Sequence, residues 1–189
     1  MFDRNLYKGK TVLLTGHTGF KGSWLTCILT RIGARVVGYS LEPTTEPSLF
    51  ELSGLKNSIV NVIADIRDYD RLLDVFTEYQ PELVFHLAAQ PLILDSYENP
   101  KYTYETNVMG TVNLMECVRH TESVKSVLNV TTDKVYENRE WCWGYREDEK
   151  LDGFDPYSNS KSCSELVFHL SHFYNKKTLN KLNTCCVLH

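Results

Sequence analysis

The chain has 189 residues, 42% of them hydrophobic, with 20 lysines and arginines against 24 aspartates and glutamates. This length fits one well-packed domain and is too short for two large ones. A net charge of −4 without a basic block argues against nucleic acid or an anionic membrane as the main partner. The apolar runs are far shorter than the roughly 20 residues that span a bilayer, and the polar start lacks a secretion signal. We therefore expect a cytoplasmic protein.

The hydrophobic pattern alternates short β-rich runs with amphipathic stretches of helical length. It predicts strands over residues 10–15, 35–39, 58–64, 83–87 and 126–130, and helices over residues 20–32, 68–80, 103–120 and 155–174, with a short helix at 47–52. Asp68 is placed to cap the second long helix. The strands are nearly continuous in Val, Leu and Ile, which is typical of parallel strands covered by helices on both faces. We predict an α/β fold with a Rossmann-like, doubly wound parallel sheet whose ligand lies at the carboxyl ends of the strands.

The six cysteines lack C-x-x-C or cysteine–histidine spacing. In a reducing compartment they are expected to be free thiols in or near the core. No metal site is predicted.

A glycine-rich turn, T-G-H-T-G-F-K-G, joins the first strand to the first helix at residues 15–22. Its glycines allow a pyrophosphate to approach the backbone, and the helix N-terminus supplies an anion site. A glycine triplet alone also fits a simple turn, but this position favours dinucleotide binding. No acid for the adenosine ribose stands at the end of the second strand, and Lys21 and Arg35 would suit a 2′-phosphate. These residues alone leave NAD and NADP both open.

Residues that follow the third and fourth strands are expected at the same edge of the predicted sheet as the glycine-rich turn. Asp65 could accept a hydrogen bond from the adenine amino group, or it could cap the next helix. The small residues after His86 would let a cofactor lie against the backbone. His86 itself is expected to be a packed core histidine rather than a catalyst.

A second motif, Y-S-N-S-K at residues 157–161, begins the last predicted helix. Four-residue spacing puts Tyr157 and Lys161 on one helical face. The ammonium could then lower the phenol pKa from about 10 and make Tyr157 a base toward a carbinol. Such pairs are also common on solvated helices, so this motif gains weight only from its neighbours at the same sheet edge.

The neighbouring motif is T-T-D-K, which follows the fifth strand at residues 131–134. Thr132 could orient a substrate alcohol beside the tyrosine. Asp133 and Lys134 offer an acid and a base close together, which is more than an alcohol dehydrogenase needs.

Together these segments resemble the extended short-chain dehydrogenase/reductase family of NAD-dependent epimerases and dehydratases, and within it the CDP-glucose 4,6-dehydratases. The resemblance runs from about residue 8 to residue 166. Its distinctive pieces are G-H-T-G-F-K-G-S-W-L (16–25), H-L-A-A-Q-P-L (86–92), T-N-V-M-G-T (106–111), T-T-D-K-V-Y-E-N-R-E-W (131–141), W-G-Y-R-E (143–147) and D-P-Y-S-N-S-K (155–161). Thr-Asp-Lys, where many sibling dehydratases have Thr-Asp-Glu, points to the CDP-sugar branch.

The resemblance implies a bound NAD that is reduced and reoxidised within one turnover, with CDP-glucose as substrate. Tyr157, supported by Lys161 and Thr132, would deprotonate the sugar 4-hydroxyl while the C4 hydride passes to NAD. Lys134 would remove the C5 proton, Asp133 would protonate the departing 6-hydroxyl, and the hydride would return to C6. The product would be CDP-4-keto-6-deoxyglucose, a precursor of deoxysugars in the lipopolysaccharide O-antigen.

The resemblance also implies a cofactor path along the sheet edge. The glycine turn would hold the pyrophosphate and ribose, residues after the third strand the adenine, and later residues the remainder. The implied set is Gly16, His17, Gly19, Phe20, Lys21, Gly22, Asp65, Ile66, Leu87, Ala88, Ala89, Thr106, Tyr157 and Lys161. Asn107 would brace the helix beside the site.

Two departures from the family pattern matter. Leu94-Asp95 stands where the family tends to carry a basic residue, and the likeness fades after residue 166. Family members continue for about another domain's length, which carries the last strands and the lobe that grips the CDP-sugar. We expect residues 1–172 to form an NAD-binding Rossmann domain with the catalytic residues and residues 173–189 to be a divergent tail. Most of the C-terminal substrate-binding domain is expected to be missing.

Other interpretations stay open at this point. The chain could be a truncated, catalytically inactive NAD-binding fragment, since its tail resembles out-of-frame translation. An NADP-linked reductase or a sugar-nucleotide epimerase is a third interpretation, against which the Asp133-Lys134 pair argues. The family dimerises through the helices predicted at residues 103–120 and 155–174, so a homodimer is expected for the full-length protein.

Overall fold

The structure, a computed structural model, describes residues 6–175 and 184–188, with side chains described up to residue 170. Its centre is a six-stranded sheet in the order β3-β2-β1-β4-β5-β6. The strands are β1 (Thr11–Thr15), β2 (Arg35–Ser40), β3 (Val60–Ile63), β4 (Leu83–His86), β5 (Ser126–Val130) and β6 (Thr184–Leu188). All neighbouring strands are parallel. The predicted doubly wound sheet is confirmed, and the strand order reverses between β1 and β4, where ligands of such sheets bind.

Helices cover both faces of the sheet. They are α1 (Phe20–Arg31), α2 (Leu49–Leu52), α3 (Tyr69–Tyr79), α4 (Ile93–Glu98), α5 (Pro100–Tyr104), α6 (Gly110–His120) and α7 (Pro156–Asn175). Alternate strand residues point to opposite faces. Leu13 accordingly joins a core that contains Phe76 and Phe168, from α3 and α7, while Val12 joins the core that contains Leu29 from α1. Burial of strand side chains on both faces explains their continuous apolar pattern.

The helical region predicted over residues 103–120 is not one continuous helix. It consists of α5, a π-helical turn at Glu105–Met109, and α6. The preceding helix α4 was not predicted, because its exposed Leu94 and Tyr97 give it no clear apolar face. A π-helical turn leaves no trace in a 3.6-residue pattern, although such turns are frequent at functional sites.

Strand β6 lies inside residues 173–189, the segment that the sequence analysis sets apart as a tail. It pairs in parallel with β5, from Ser126 opposite Thr184 to Val130 opposite Leu188. Residues 184–188 therefore extend the sheet, whereas the family resemblance implies that the last strands belong to the part of the protein that follows the tail. A five-residue run gives no indication by itself that a pairing partner exists. Residues 1–5, 176–183 and 189 lie outside the described residues, and the domain boundary at residue 172 stays a prediction.

Two residues define the start of helix α7: Asp155, which caps it, and Pro156, its first residue. The Asp155 carboxylate accepts the Ser158 N–H at 2.9 Å and the Ser158 hydroxyl at 2.6 Å. Proline at the first helical position loses nothing, because its missing N–H would have no partner inside the helix. At the start of α3, Asp68 accepts the Arg71 N–H at 3.0 Å, as predicted.

The Asp155 cap leads to a stability prediction. Asp155→Ala should lower the free energy of unfolding by about 1 kcal/mol, because it leaves N–H groups at the start of α7 unpaired. Urea denaturation measures the change. The matched control is Asp74→Ala on the exposed side of α3, where a shift of less than about 0.5 kcal/mol is expected. Equal shifts in the two variants would contradict the capping role.

In the part of the chain that the structure describes, no helix combines the length and the apolar character needed to cross a bilayer. The same residues contain no cluster of three His, Cys, Asp or Glu side chains suited to a metal ion.

Candidate active site

The glycine turn is built on two positions that cannot carry a side chain. Gly16 has φ = +74°, and a Cβ there would lie 2.8 Å from the backbone nitrogen of Ala88. A Cβ on Gly22 would lie 2.0 Å from the carbonyl oxygen of Gly16. The missing side chains let α1 start directly against the ends of β1 and β4, as a pyrophosphate-binding turn requires.

The N-terminus of α1 is open to an anion. Gly19 occupies the N-cap position, and within the described residues no side chain caps the helix and no acid stands in its first turn. Phe20 and Lys21 are exposed beside it. Free N–H groups, the helix dipole and the Lys21 ammonium together favour a negatively charged group at this place.

The His17 side chain is enclosed beneath the turn. Its Nε2–H donates to Asn61 Oδ1 at 2.6 Å, and the ring packs edge-on against Phe50 with 5.1 Å between ring centroids. A Cβ on Gly38 would lie 2.5 Å from the His17 ring. Burial lowers the pKa of His17 below its ordinary value. Any contact of His17 with a cofactor would therefore come from its backbone.

Asp65, predicted to meet the adenine, is already paired. Its carboxylate lies 2.7 Å from an Arg67 guanidinium nitrogen and accepts the Arg67 N–H at 2.9 Å, which lowers the pKa of Asp65. Arg67 also reaches Glu105 at 3.3 Å. Of the two roles considered for Asp65, helix capping belongs instead to Asp68. Ile66 is buried against Gly110, where α6 starts.

The backbone after β4 is held in place by Thr15. The Thr15 hydroxyl oxygen accepts the N–H groups of Leu87 and Ala88, each at 3.1 Å. Leu87, Ala88 and Ala89 are half-buried at this edge. Thr106 is buried nearby in the chain's π-helical turn, and its hydroxyl has no hydrogen-bond partner among the described residues.

Asn107 ties the segment after β4 to α7. Its Oδ1 accepts the Gln90 N–H at 2.8 Å, and its Nδ2 donates to the Gln90 carbonyl at 3.1 Å and to Ser160 Oγ at 2.8 Å. This geometry matches the bracing role that the family resemblance implies for Asn107.

Lys161 is 4% exposed and donates from Nζ to the carbonyl of Val130 at 3.0 Å. Burial lowers the pKa of Lys161 to about 8, the Lys21 charge acts in the same direction, and the Glu165 carboxylate opposes them. The lysine is still mostly protonated at neutral pH, but it loses its proton at a lower pH than a solvated surface lysine does.

Burial raises the pKa of Tyr157, while its hydrogen bond to Thr132 and the charge of Lys134 act in the opposite direction. The expectation that Lys161 lowers the pKa of Tyr157 is wrong for this structure. The four-residue spacing places both side chains near one edge, but the ammonium is directed at the Val130 carbonyl. Thr132 and Lys134 are instead the groups that favour the phenolate.

Asp133 and Lys134 lie together on the open side of the edge, with side chains 83% and 56% exposed and Oδ1 and Nζ 3.5 Å apart. The Thr132 hydroxyl donates to Asp133 Oδ1 at 3.1 Å, and this hydrogen bond lowers the pKa of Asp133. An acid role for Asp133 would thus need a change of environment that restores its proton.

Sequence reasoning missed Glu165, a carboxylate that is 3% exposed on the next turn of α7. Its Oε1 accepts the Thr131 hydroxyl at 2.5 Å, and its charge helps keep Lys161 protonated. The four-residue spacing from Lys161 to Glu165 is the pattern that could have indicated it.

Two buried histidines predict acid sensitivity. Burial, aided by the Lys161 charge, lowers the pKa of His86 to about 3, and burial also lowers that of His17. As pH falls below about 6.5 the unfolded chain takes up these protons first, so stability is lost from there down toward the folded-state pKa. His86 alone should cost about 2 kcal/mol at pH 5 relative to pH 7.5.

Urea denaturation at the two pH values checks this loss. His169→Gln is the control, because His169 is exposed on α7 and its removal should leave the difference unchanged. A stability that stays level from pH 7.5 to pH 5 would show that the buried histidines are not held neutral.

The sheet order, the glycine turn at the strand reversal and the Tyr157–Lys161 pair on α7 define a dinucleotide-binding α/β protein of the Rossmann class. More specifically, the chain belongs to the GDP-mannose 4,6 dehydratase family, whose sequence model matches residues 13–189. The match continues past residue 166, where the motif resemblance fades, and includes β6.

Relatives of known name match over most of the chain. It is 56% identical over 167 residues to CDP-glucose 4,6-dehydratase of Salmonella typhimurium, which is 88% of this chain and 46% of that protein. It is 34% identical over 172 residues to CDP-paratose 2-epimerase of Salmonella typhi, with 82% and 50% covered. The chain spans about half the length of the curated relatives it matches.

Solved structures share the fold. UDP-glucose 4-epimerase of Thermus thermophilus, determined in complex with NAD, superposes with a TM-score of 0.79 at 25% identity, over 94% of this chain and 54% of that chain. The epimerase Mth375 of Methanothermobacter thermautotrophicus gives 0.77 at 25% identity, over 98% and 52%.

Proposed function

We propose that this chain is the NAD-binding and catalytic half of a nucleotide-sugar 4,6-dehydratase, a lyase that converts CDP-glucose to CDP-4-keto-6-deoxyglucose. The observation that carries the proposal is that α7, which bears Tyr157 and the buried Lys161, is bonded to the segment that bears Thr132, Asp133 and Lys134. Lys161 Nζ donates to the Val130 carbonyl at 3.0 Å and Ser162 Oγ to the Val135 carbonyl at 2.7 Å. The 56% identity to a CDP-glucose 4,6-dehydratase supports this sugar nucleotide. The product class would supply deoxysugars for surface polysaccharide such as O-antigen.

The residues at this edge fit NAD. Gly16 and Gly22 leave a cradle that a Cβ would fill, and the N-terminus of α1 with Lys21 suits the pyrophosphate. The buried, unpartnered hydroxyl of Thr106 is available for a ligand. When bound, NAD supplies a hydride acceptor that later returns the hydride. The residues proposed to hold it are Gly16, His17 through its backbone, Gly19, Phe20, Lys21, Gly22, Asp65, Ile66, Leu87, Ala88, Ala89, Thr106, Tyr157 and Lys161.

In the first half of the reaction Tyr157 takes the proton of the sugar 4-hydroxyl. The Thr132 hydroxyl, whose proton goes to Asp133 at 3.1 Å in this structure, would turn to the sugar oxygen in the complex. Because burial raises the pKa of Tyr157, the phenolate depends on the positive charges nearby, and Lys134 is the one that already acts on it.

In the second half Lys134, after releasing its own proton to solvent, removes the C5 proton, which the 4-ketone has made acidic, and Asp133, in its protonated form, gives a proton to the departing 6-hydroxyl. Both side chains are largely exposed in this chain. A bound sugar would displace water from them, which favours the neutral form of each group and thus the roles proposed.

Isotope labelling tests the proposal on the purified chain. With NAD, CDP-glucose and heavy water, we expect a 4-keto-6-deoxy product that carries one solvent deuteron at C5. Substrate deuterated at C4 should deliver that label to C6. UDP-glucose and GDP-mannose serve as controls and should turn over far more slowly.

The alternative interpretation from the sequence, an inactive NAD-binding fragment, is distinguished by a binding measurement. NAD binding by calorimetry without any turnover would support this alternative. Absence of NAD binding would contradict both.

We also propose that the protein is cytoplasmic and that the complete enzyme is a homodimer through α6 and α7. Leu166 and Leu170, four residues apart on α7, are each 56% exposed. Sedimentation of the wild type and of Leu166→Glu tests this, since a charge in a dimer interface should shift the species toward monomer.

A further inference from the structure

A chain of buried polar side chains crosses the molecule behind the cofactor edge. It links Thr15 on β1, His86 on β4, Thr111 on α6, Ser164 on α7 and Asn129 on β5, none more than 2% exposed. The oxygen of Thr15 lies 2.8 Å from His86 Nδ1, and His86 Nε2 lies 3.3 Å from Thr111 Oγ1. Thr111 Oγ1 lies 2.8 Å from Ser164 Oγ, which accepts from Asn129 Nδ2 at 3.1 Å.

Proton counting fixes the direction of each bond at the α6 end. The single proton of the Thr111 hydroxyl goes to the Asn107 carbonyl at 2.7 Å. Thr111 Oγ1 can therefore only accept from its other two neighbours, Ser164 Oγ and His86 Nε2. This assignment places a proton on Nε2 of His86.

The hydrogen bonds of Thr15, at the β1 end of the chain of polar side chains, independently require the same tautomer of His86. Thr15 Oγ1 already accepts two backbone N–H groups, from Leu87 and Ala88. Both of its lone pairs are then used, so its own proton must go to His86 Nδ1, which has to be bare. Both ends of the chain thus require the neutral Nε2–H form of His86.

We propose that His86 is a positioning residue that fixes the Leu87–Ala88 backbone where the cofactor lies and couples it to α7. Its bare Nδ1 orients the Thr15 hydroxyl so that the lone pairs face the two N–H groups. Its Nε2–H reaches α7 through Thr111. The inference deepens the proposed function and depends on it for the identity of the cofactor.

Two substitutions at Thr111 separate the hydrogen bond from the packing. Thr111→Val keeps the shape and removes the hydroxyl, whereas Thr111→Ser keeps the hydroxyl. Long-range proton–nitrogen NMR of the full chain should show the Nε2–H tautomer of His86 in the wild type and in Thr111→Ser. In Thr111→Val the Thr15 end still selects this tautomer, but the Nε2–H loses its acceptor, so the Nε2 nitrogen and proton resonances should shift. The affinity for NAD, measured by calorimetry, should fall about tenfold in Thr111→Val and stay within about twofold in Thr111→Ser.

Amide hydrogen exchange at Leu87 and Ala88 provides a readout that needs no cofactor. Exchange should accelerate in Thr111→Val and remain at the wild-type rate in Thr111→Ser. If Thr111→Val does not fold, Thr111→Ala, which removes the same hydroxyl and adds no bulk, takes its place with the same expectations.

The inference is overturned by an Nδ1–H tautomer in the wild type, or by a folded Thr111→Val with wild-type exchange and NAD affinity. A wild type that fails to bind NAD would overturn the proposed function instead. In that case the tautomer and the exchange rates still decide whether His86 positions this backbone.

Discussion

Gly22→Ala is expected to destabilise the chain by about 3 kcal/mol and to remove measurable NAD binding. The added Cβ would lie 2.0 Å from the Gly16 carbonyl oxygen and 2.8 Å from the Gly16 carbonyl carbon and the His17 Cα. All three atoms belong to the backbone, so no side-chain rotation relieves the overlap. The turn must open, and the N–H groups at the start of α1 then lose their common direction. Urea denaturation and calorimetry with NAD measure the two effects.

Gly144→Ala is the matched control for that substitution. No atom lies within 4 Å of the position where its Cβ would stand. We expect a change in stability within about 0.5 kcal/mol and unchanged NAD affinity. If Gly22→Ala behaved like this control, the tight turn described here would be incorrect.

Tyr157→Phe should lower turnover of CDP-glucose by about a thousandfold, far more than any loss of NAD affinity, and should change stability little. The phenyl ring keeps the packing of the half-buried side chain and loses only the hydroxyl that meets Thr132. Without that hydroxyl the site lacks the group proposed to take the 4-hydroxyl proton. The kcat for CDP-glucose, measured beside the dissociation constant of NAD, distinguishes a lost base from a lost fold.

Tyr145→Phe provides the comparison for the tyrosine. It also removes a tyrosine hydroxyl, which accepts the Arg139 N–H at 2.9 Å but lies outside the proposed catalytic set. Its kcat should stay within about twofold of wild type. A Tyr157→Phe enzyme retaining a tenth or more of wild-type turnover would rule out Tyr157 as the principal base.

The sheet could be predicted from sequence because most of its strands can be recognised from their own residues. Val12, Leu13 and Leu14 are apolar without interruption, and Gly16 ends the run where the backbone must turn. The π-helical turn and β6 could not be predicted in the same way. Both involve tertiary partners: Asn107 in the turn bonds to Gln90 and Ser160, and β6 pairs with β5.

The candidate site, too, could be predicted from sequence only in part. Spacing places Tyr157 and Lys161 on one face of a helix, and the structure brings both to the sheet edge. Spacing does not say where an ammonium points, so the direction of the Tyr157 pKa shift was predicted incorrectly. Likewise, the motif that contains His17 does not reveal that its imidazole is enclosed against Phe50.

Helix α7 buries four serines at alternate positions, Ser158, Ser160, Ser162 and Ser164, all at most 2% exposed. An apolar helix face can slide along its neighbour by one turn and still bury the same surface. A helix held by serine hydroxyls cannot slide in this way. Ser160 must bond to Asn107 at 2.8 Å, and Ser162 must bond to the Val135 carbonyl at 2.7 Å. Directional bonds therefore allow α7 a single axial register. Substitutions that replace these serines with hydrophobic residues would preserve a helix here while releasing its position along the sheet.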